Sequence, residues 1–366
     1  MIPSGRMADH APPLPIDTHL RAGRAAYRGL AQRKLLLLAA LAAALLVSLV
    51  LDIGIGPARY GVGEVVSALV SPADVPATLR VVIWDIRLPV ALMAVVVGAA
   101  LAVAGALMQT VLNNPLADPF TLGISAAASF GAALAIVLGV ALIPALTDVM
   151  VPVNAFLMAL AASLGLHVMS QRRGVTMETV VLLGIAIVFT FNALLSLLQY
   201  VASEQALAAV VFWTMGSLGK STWGKLAVTS GVLVVLLPLM ARRAWQLTAL
   251  RLGEDKARSF GIDVRRLRLE TILAVSLLAS VPVAFVGTIG FVGLVGPHIA
   301  RMLIGEDQRF FLPASALAGA LMLSATSIVS KSIVPGVILP VGVITALVGV
   351  PFFFSLILAS RRRAWQ

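Results

Sequence analysis

Nine stretches of this chain run for sixteen residues or more without a single charged side chain: 35–51, 88–117, 119–147, 149–171, 179–203, 226–241, 271–300, 310–330 and 332–360. A chain that long without charge is fit for hydrocarbon. There every backbone N–H and C=O must find its partner within the protein, and a helix does that within itself. The run 271–300 contains Pro282 and Gly287 and extends to about Val264 on one side and Ile304 on the other, so it divides into two spans. The count becomes ten. With 60% hydrophobic and 12% charged residues, the chain has too few polar groups to cover a soluble surface. The expected class is therefore an all-α polytopic membrane protein with about ten transmembrane helices. The absence of cysteine excludes disulfides and thiolate metal sites.

An even number of spans puts both termini on one side, and the cations say which. With the N-terminus inside, 21 of the 27 Lys and Arg residues fall on cytoplasmic segments, leaving Arg59, Arg80, Arg87, Lys220, Lys225 and Lys331 elsewhere. The net charge of +11 is thereby a statement about topology, and it requires no nucleic-acid partner. Residues 1–34, with Pro12, Pro13, Pro15 and six cations, read as a disordered basic cytoplasmic tail. Residues 35–360 form the membrane domain, and 361–366 a basic cytoplasmic end. No secretory cleavage pattern closes the first apolar run, so it is expected to stay as a span.

One long charged interruption stands out, residues 242–268, with eight cations. Leu247, Leu250 and Leu252 precede Gly253, and Ala257 and Phe260 precede Gly261. Glycine tolerates the left-handed backbone of a helix terminus, so the spacing predicts two short helices at about 244–261, broken at Gly253 and closed at Gly261. Such a compact charged loop suits a soluble partner, although a solvated connector would look similar. On the other side, 52–86 is a long loop, and the run from Gln205 to Gly219 is too short to span and reads as an interfacial or re-entrant helix.

Gly219-Lys220-Ser221 resembles the end of a phosphate-binding loop, but Thr214 stands where that motif needs glycine and no strand precedes it. The chain therefore lacks an ATPase of its own. In 113–120, Asn-Asn-Pro-Leu-Ala-Asp-Pro-Phe, the two prolines force turns and predict a sharp cytoplasmic hairpin. Gly98 and Gly105 before it permit close helix packing with no ligand role. Gln109, Asn113, Asn114, Asn192 and Gln199 are the candidate path or gating residues; Asn192 and Gln199, inside a span, could equally bridge two helices. His298, beside Arg301, reads as an interfacial histidine. Lys331, near a span end, can snorkel. No carboxylate falls inside a span as drawn, which disfavours an ion-coupled carrier. No catalytic or metal-ligand cluster is evident.

Seven ordered strings together resemble the FecCD family, the membrane subunits of type II ABC importers for iron-siderophores, haem and cobalamin. They are Trp84-Asp85-Ile86-Arg87-Leu88-Pro89, Gly105-Ala106-Leu107-Met108-Gln109, Asn114-Pro115-Leu116-Ala117-Asp118-Pro119, Trp213-Thr214-Met215-Gly216-Ser217-Leu218, Leu252-Gly253-Glu254 with Ala257 and Gly261, the string from Gly290 to Arg301, and Pro340 to Leu347 with Pro351-Phe352-Phe353. The resemblance implies a type II ABC importer permease fold in the cell inner membrane, working as a homodimer with two ABC ATPase subunits and a periplasmic binding protein. ATP and Mg would sit on the partner ATPase, and no cofactor on this chain. It also implies that Leu252, Gly253, Glu254, Ala257, Arg258 and Gly261 contact the ATPase, and that Arg59 and Arg80 meet the binding protein. Val90 stands where the family often has arginine, and 325–328 lacks an aspartate often found there. An iron(III)-siderophore is the expected cargo, with haem or cobalamin as alternatives.

Overall fold

The computed structural model describes residues 16–56, 60–120, 122–170, 177–334 and 336–364. All regular structure among them is helical: α1 (Ile16–Gly54), α2 (Val62–Val70), α3 (Ala77–Val81), α4 (Leu88–Val111), α5 (Ile124–Leu138), α6 (Met150–Ser170), α7 (Met177–Val201), α8 (Glu204–Thr214), α9 (Trp223–Arg242), α10 (Ala244–Leu250), α11 (Glu254–Ser259), α12 (Val264–Val286), α13 (Val292–Ile304), α14 (Gln308–Ser332) and α15 (Val341–Ala364). A π-helical turn, Val82–Arg87, joins α3 to α4 without a break. By length and composition, seven of the described helical stretches can cross a membrane, containing α1, α4, α6, α7, α9, α12 and α14; α5, α13 and α15 add shorter apolar segments. The ten segments fall where the ten spans were expected, seven of them long enough to cross and three shorter, and the division of 271–300 falls between α12 and α13.

Helix ends follow local chemistry. Ser203, Thr222, Asp263 and Asp307 cap α8, α9, α12 and α14 through side-chain oxygens that accept backbone N–H groups. Between α12 and α13 the chain takes positive φ at Gly287 (+77°) and at Phe291 (+67°), which stops one helix and re-aims the next.

Helix α4 is the axis of the bundle. Nearly all of it is buried, and it packs against α1, α9, α12, α13 and α14. Small residues make this possible, because lipid supplies no hydrophobic drive between helices and close backbone approach must take its place. Gly98 faces the backbone of Gly319 on α14, and Gly105 faces the carbonyl of Gly293 on α13; a Cβ at either would overlap that carbonyl.

Several expectations are corrected. Helix α1 begins at Ile16, so residues 16–34 are helical and not a disordered tail. Segment 52–86 is largely folded, with Ile53, Val65, Ala68, Leu79, Ile83, Leu88 and Ala91 closing a small core of their own. The hairpin after α4 does not stay at the surface. Residues 112–120 turn back into the bundle, where Asp118 is buried and its Oδ1 packs against Gly293. Helix α5 consequently starts late and has only 15 residues. Lys331 does not snorkel: its ammonium lies 2.8 Å from Oδ1 of Asp52, a fully buried carboxylate in the last turn of α1. The rule that no acid lies within a span thus fails at Asp52.

Candidate coupling surface and translocation cleft

The charged interruption folds as two short helices lying at one end of the bundle. Leu247, Leu250 and Ala257 are buried against it, which fixes α10 and α11 in place. Gly253, at φ +109°, starts α11, and Gly261, at φ +78°, follows it. Both angles suit glycine and strain other residues. Glu254 accepts hydrogen bonds from Arg258, at 3.2 Å, and from Arg268, on α12. That tie leaves an apolar group facing outward: Trp245, Leu252 and Phe260 are 60%, 58% and 54% exposed, and the rings of Trp245 and Phe260 lie 6.2 Å apart. Exposed aromatic and leucine side chains on a rigid, charged platform are the groups that protein interfaces use as anchors. All six residues expected to contact an ATPase lie in this unit; Ala257 serves it from inside, as packing.

The same end carries the α13–α14 junction. Asp307 caps α14 and receives two hydrogen bonds from the Arg309 guanidinium, at 3.1 and 2.9 Å. Burial acts to raise its carboxyl, but the hydrogen bonds from Arg309 and the Arg309 and Lys34 charges outweigh this and hold it below the ordinary carboxylate range.

Three broken segments converge in the middle of the bundle: the re-entrant 112–120, the end of α8, and the α12–α13 break. The Thr288 hydroxyl donates to the carbonyl of Thr214, and Ser217 N–H donates to the carbonyl of Val286 at 2.7 Å. Around them lie two clefts. One, of about 620 Å³, is lined by Phe120, Thr214, Met215, Thr288, Gly290, Phe291 and, from α15, Gly342, Val343, Ala346, Leu347, Val350 and Pro351. The other, of about 540 Å³, is lined by Phe120, Ser125, Ala126, Ser129, Ile185, Val188, Phe189, Asn192, Leu195, Thr214 and Thr288. They share Phe120, Thr214 and Thr288. The combined wall is apolar with a sprinkling of hydroxyls and one amide. Such a wall can pass a bulky ligand by weak contacts without holding it.

Of the polar residues expected on a path, only Asn192 lines these clefts. Gln109 is 2% exposed and bridges helices: its Oε1 accepts from Arg301 at 2.7 Å and its Nε2 donates to the Gly293 carbonyl at 3.4 Å. Asn113 takes a positive φ of 45° at the turn, and Asn114 Oδ1 accepts from Leu116 N–H at 2.9 Å. Both shape the re-entrant turn. Gln199 is half-buried near the end of α7, outside both linings. His298 sets its ring edge-on to Phe352, 5.4 Å away, in agreement with a packed interfacial histidine. Sequence reasoning gave no role to Phe120, Thr288 or Phe291, although Phe120 and Phe291 stood in strings that were singled out.

At the opposite end, Arg80 is exposed on α3, while Arg59 lies outside the described residues. Arg87 is buried, donating to the carbonyls of Ile53 and Gly54 at 2.8 and 2.9 Å with its guanidinium over Tyr60. It holds segment 52–86 onto α4.

Residues 44–359 match the model of the FecCD transport family. Among curated relatives, the hemin transport system permease protein HmuU of Yersinia pestis is 40% identical over 282 residues, covering 77% of this chain and 84% of that protein. The Fe(3+)-citrate import system permease protein YfmE of Bacillus subtilis is 33% identical over 332 residues, covering 91% and 97%. Among solved structures, a metal-chelate type ABC transporter in an inward-facing conformation superposes with a TM-score of 0.77 at 31% identity, over 88% of this chain and 99% of that one.

Proposed function

Since the chain belongs to the FecCD transport family, we propose that it is the membrane-spanning permease of an ATP-driven importer of metal chelates. Two copies face each other across a central path. Two ABC ATPase subunits seat on α10 and α11, and a periplasmic binding protein delivers cargo to the opposite end, where Arg80 is exposed. The chain sits in the cell inner membrane with both termini cytoplasmic, which the excess of Lys and Arg at the α10–α11 end supports.

The observation that carries this reading is the exposed triad of Trp245, Leu252 and Phe260 on a platform pinned to the bundle by Glu254. ATP binding and hydrolysis on the partner supply the work, and this chain needs no nucleotide site of its own. What it supplies is a pair of rigid helices that pass displacement to the spans.

For the cargo we propose an iron(III)-siderophore. The shared cleft offers aromatic and aliphatic walls with the hydroxyls of Thr214, Thr288, Ser125 and Ser129 and the amide of Asn192. These groups suit the organic shell of an intact chelate, and no carboxylate or thiolate in the lining competes for the metal. The curated relatives carry hemin and Fe(3+)-citrate by name, which agrees with a metal chelate of either kind.

The test is ATP hydrolysis and uptake by the reconstituted complex with its binding protein loaded in turn with a ferric siderophore, haem and cobalamin. Stimulation and uptake with the ferric siderophore alone support the cargo assignment. Stimulation by haem or cobalamin instead transfers it to that ligand.

A further inference from the structure

Between the α10–α11 platform and the clefts lies a run of polar contacts that the function described so far does not use. Arg251 ends α10, two residues before Gly253, and its Nη2 lies 2.6 Å from Oε1 of Glu306. The same oxygen is 2.9 Å from Nε of Arg301, on the last turn of α13. Arg301 in turn donates from Nη2 to Gln109 at 2.7 Å and sets its guanidinium 5.5 Å from the centre of the Phe311 ring. A second line runs beside it. Thr248 on α10 accepts the backbone N–H of Gln308 at 3.2 Å, and the Gln308 amide donates to the Thr110 hydroxyl at 3.0 Å. Both lines therefore leave α10, cross the α13–α14 junction and reach consecutive residues of α4.

Those two residues immediately precede the re-entrant segment. Asn114 N–H donates to the Gln109 carbonyl at 3.0 Å, so the first turn of that segment hangs on the same residue. The segment carries Phe120, which lines both clefts.

We propose that Glu306 is a positioning residue: it joins the coupling platform to the re-entrant segment and carries platform displacement to Phe120. This rests on the reading that α10 and α11 receive an ATPase. The physical argument is charge sharing. One carboxylate oxygen is shared by two arginines whose side chains are only 18% and 16% exposed; Glu306 itself is 46% exposed and the triad keeps one net positive charge, so the shared oxygen is what holds the two guanidinium groups together. Without the carboxylate, Arg251 and Arg301 face each other as like charges, and the Arg251–Glu306–Arg301 link from the platform to α13 and α4 is lost, while the buried leucines and the Thr248–Gln308–Thr110 line still hold α10 in place. A merely structural tie would hold the fold without passing motion, so the test must read motion.

The chain has no cysteine, so one introduced by Ala126→Cys, on the cleft wall beside Phe120, is the only thiol on this chain, and its maleimide adduct is read on the permease band separated from the ATPase by gel electrophoresis. Labelling is followed in the permease–ATPase complex, with and without ATP plus vanadate. The expected result is a change in labelling rate of fivefold or more on trapping in the A126C parent. In A126C with Glu306→Gln the change falls below about twofold while ATP hydrolysis continues, and Glu306→Asp restores part of it. Arg251→Gln, which leaves Arg301 and Glu306 paired, loses the response as well and guards against a folding defect at position 306. A full response in both E306Q and R251Q overturns the inference, as does a parent that hydrolyses ATP with no change in labelling. Absence of hydrolysis in every variant overturns the functional reading and this inference with it.

Discussion

Asp52 and Lys331 stand 279 positions apart in sequence yet form an ion pair at 2.8 Å, with side-chain exposures of 0% and 7%. The pair ties the end of α1 to the end of α14. The ammonium also donates to the Asp52 carbonyl at 3.1 Å.

Breaking such a pair from one side leaves an uncompensated charge. Lys331→Met is expected to lower stability by roughly 3–5 kcal/mol, whereas the double change Asp52→Leu with Lys331→Met recovers most of that loss. Thermal unfolding of the purified protein in detergent, followed by aggregation or tryptophan fluorescence, separates the two. Equal losses in the single and double variants would deny the pairing its role.

Gly105 and Gly293 bring α4 and α13 to backbone contact. Gly105→Leu cannot be accommodated without separating the helices, because the new Cβ meets the backbone of Gly293. Loss of folded protein, at a cost of several kcal/mol, is expected in a size-exclusion profile. Gly231→Ala on α9 has open space around its Cβ and should leave that profile unchanged.

Gly253 makes a prediction about coupling. Its φ of +109° is incompatible with proline, which holds φ near −65°. A Cβ there meets nothing, so the effect is on the backbone of the platform and not on its packing. Gly253→Pro should reach the membrane at the parent level and lose ATP-driven uptake. Retained uptake would argue against α11 as part of the coupling unit.

Asp307 bears on pH. Its carboxyl lies below the ordinary value of 3.8 in the folded protein, with burial opposed and outweighed by Arg309 and Lys34. A lowered folded value means that its stabilisation is complete above about pH 4 and lost as pH falls through the folded value. Melting temperature should therefore show no pH dependence from this residue between pH 5 and 8, where its stabilising contribution is full and constant. Asp307→Ala should cost about 1 kcal/mol as a lost cap. Asp307→Asn, which keeps a capping oxygen, should cost less.

Nine apolar segments were legible as unbroken charge-free runs, and the division of 271–300 at Gly287 was legible because glycine and proline mark where helices stop. The two platform helices were legible for the same reason, through Gly253 and Gly261. The re-entrant course of 112–120 was not. Hydropathy reports how well a residue tolerates hydrocarbon or a protein interior, and it reads the two alike, so the run 119–147 passed for a full span. The helical state of residues 16–34 was also missed, since cations and a nearby proline cluster favour disorder in isolation while a continuing helix favours order. Among the candidate site residues, the expected ATPase-contact positions all fall in α11 and the turns beside it, whereas Gln109, read as a path residue, bridges helices. Its partner Arg301 lies 192 residues away, and a single sequence carries no signal for that pairing. Asp52 with Lys331 failed to appear for the same reason.

The central claim is that transport through this chain is driven by ATP on a partner seated at α10 and α11. The most direct measurement is uptake of a ferric siderophore into proteoliposomes holding the permease and its ATPase, with the loaded binding protein outside and ATP inside. Proton and sodium gradients are collapsed by ionophores. The account predicts uptake that requires ATP, survives the ionophores and fails in Gly253→Pro. Uptake that persists without the ATPase and vanishes with the gradient would contradict it, and would direct attention to the buried carboxylates Asp52 and Asp118.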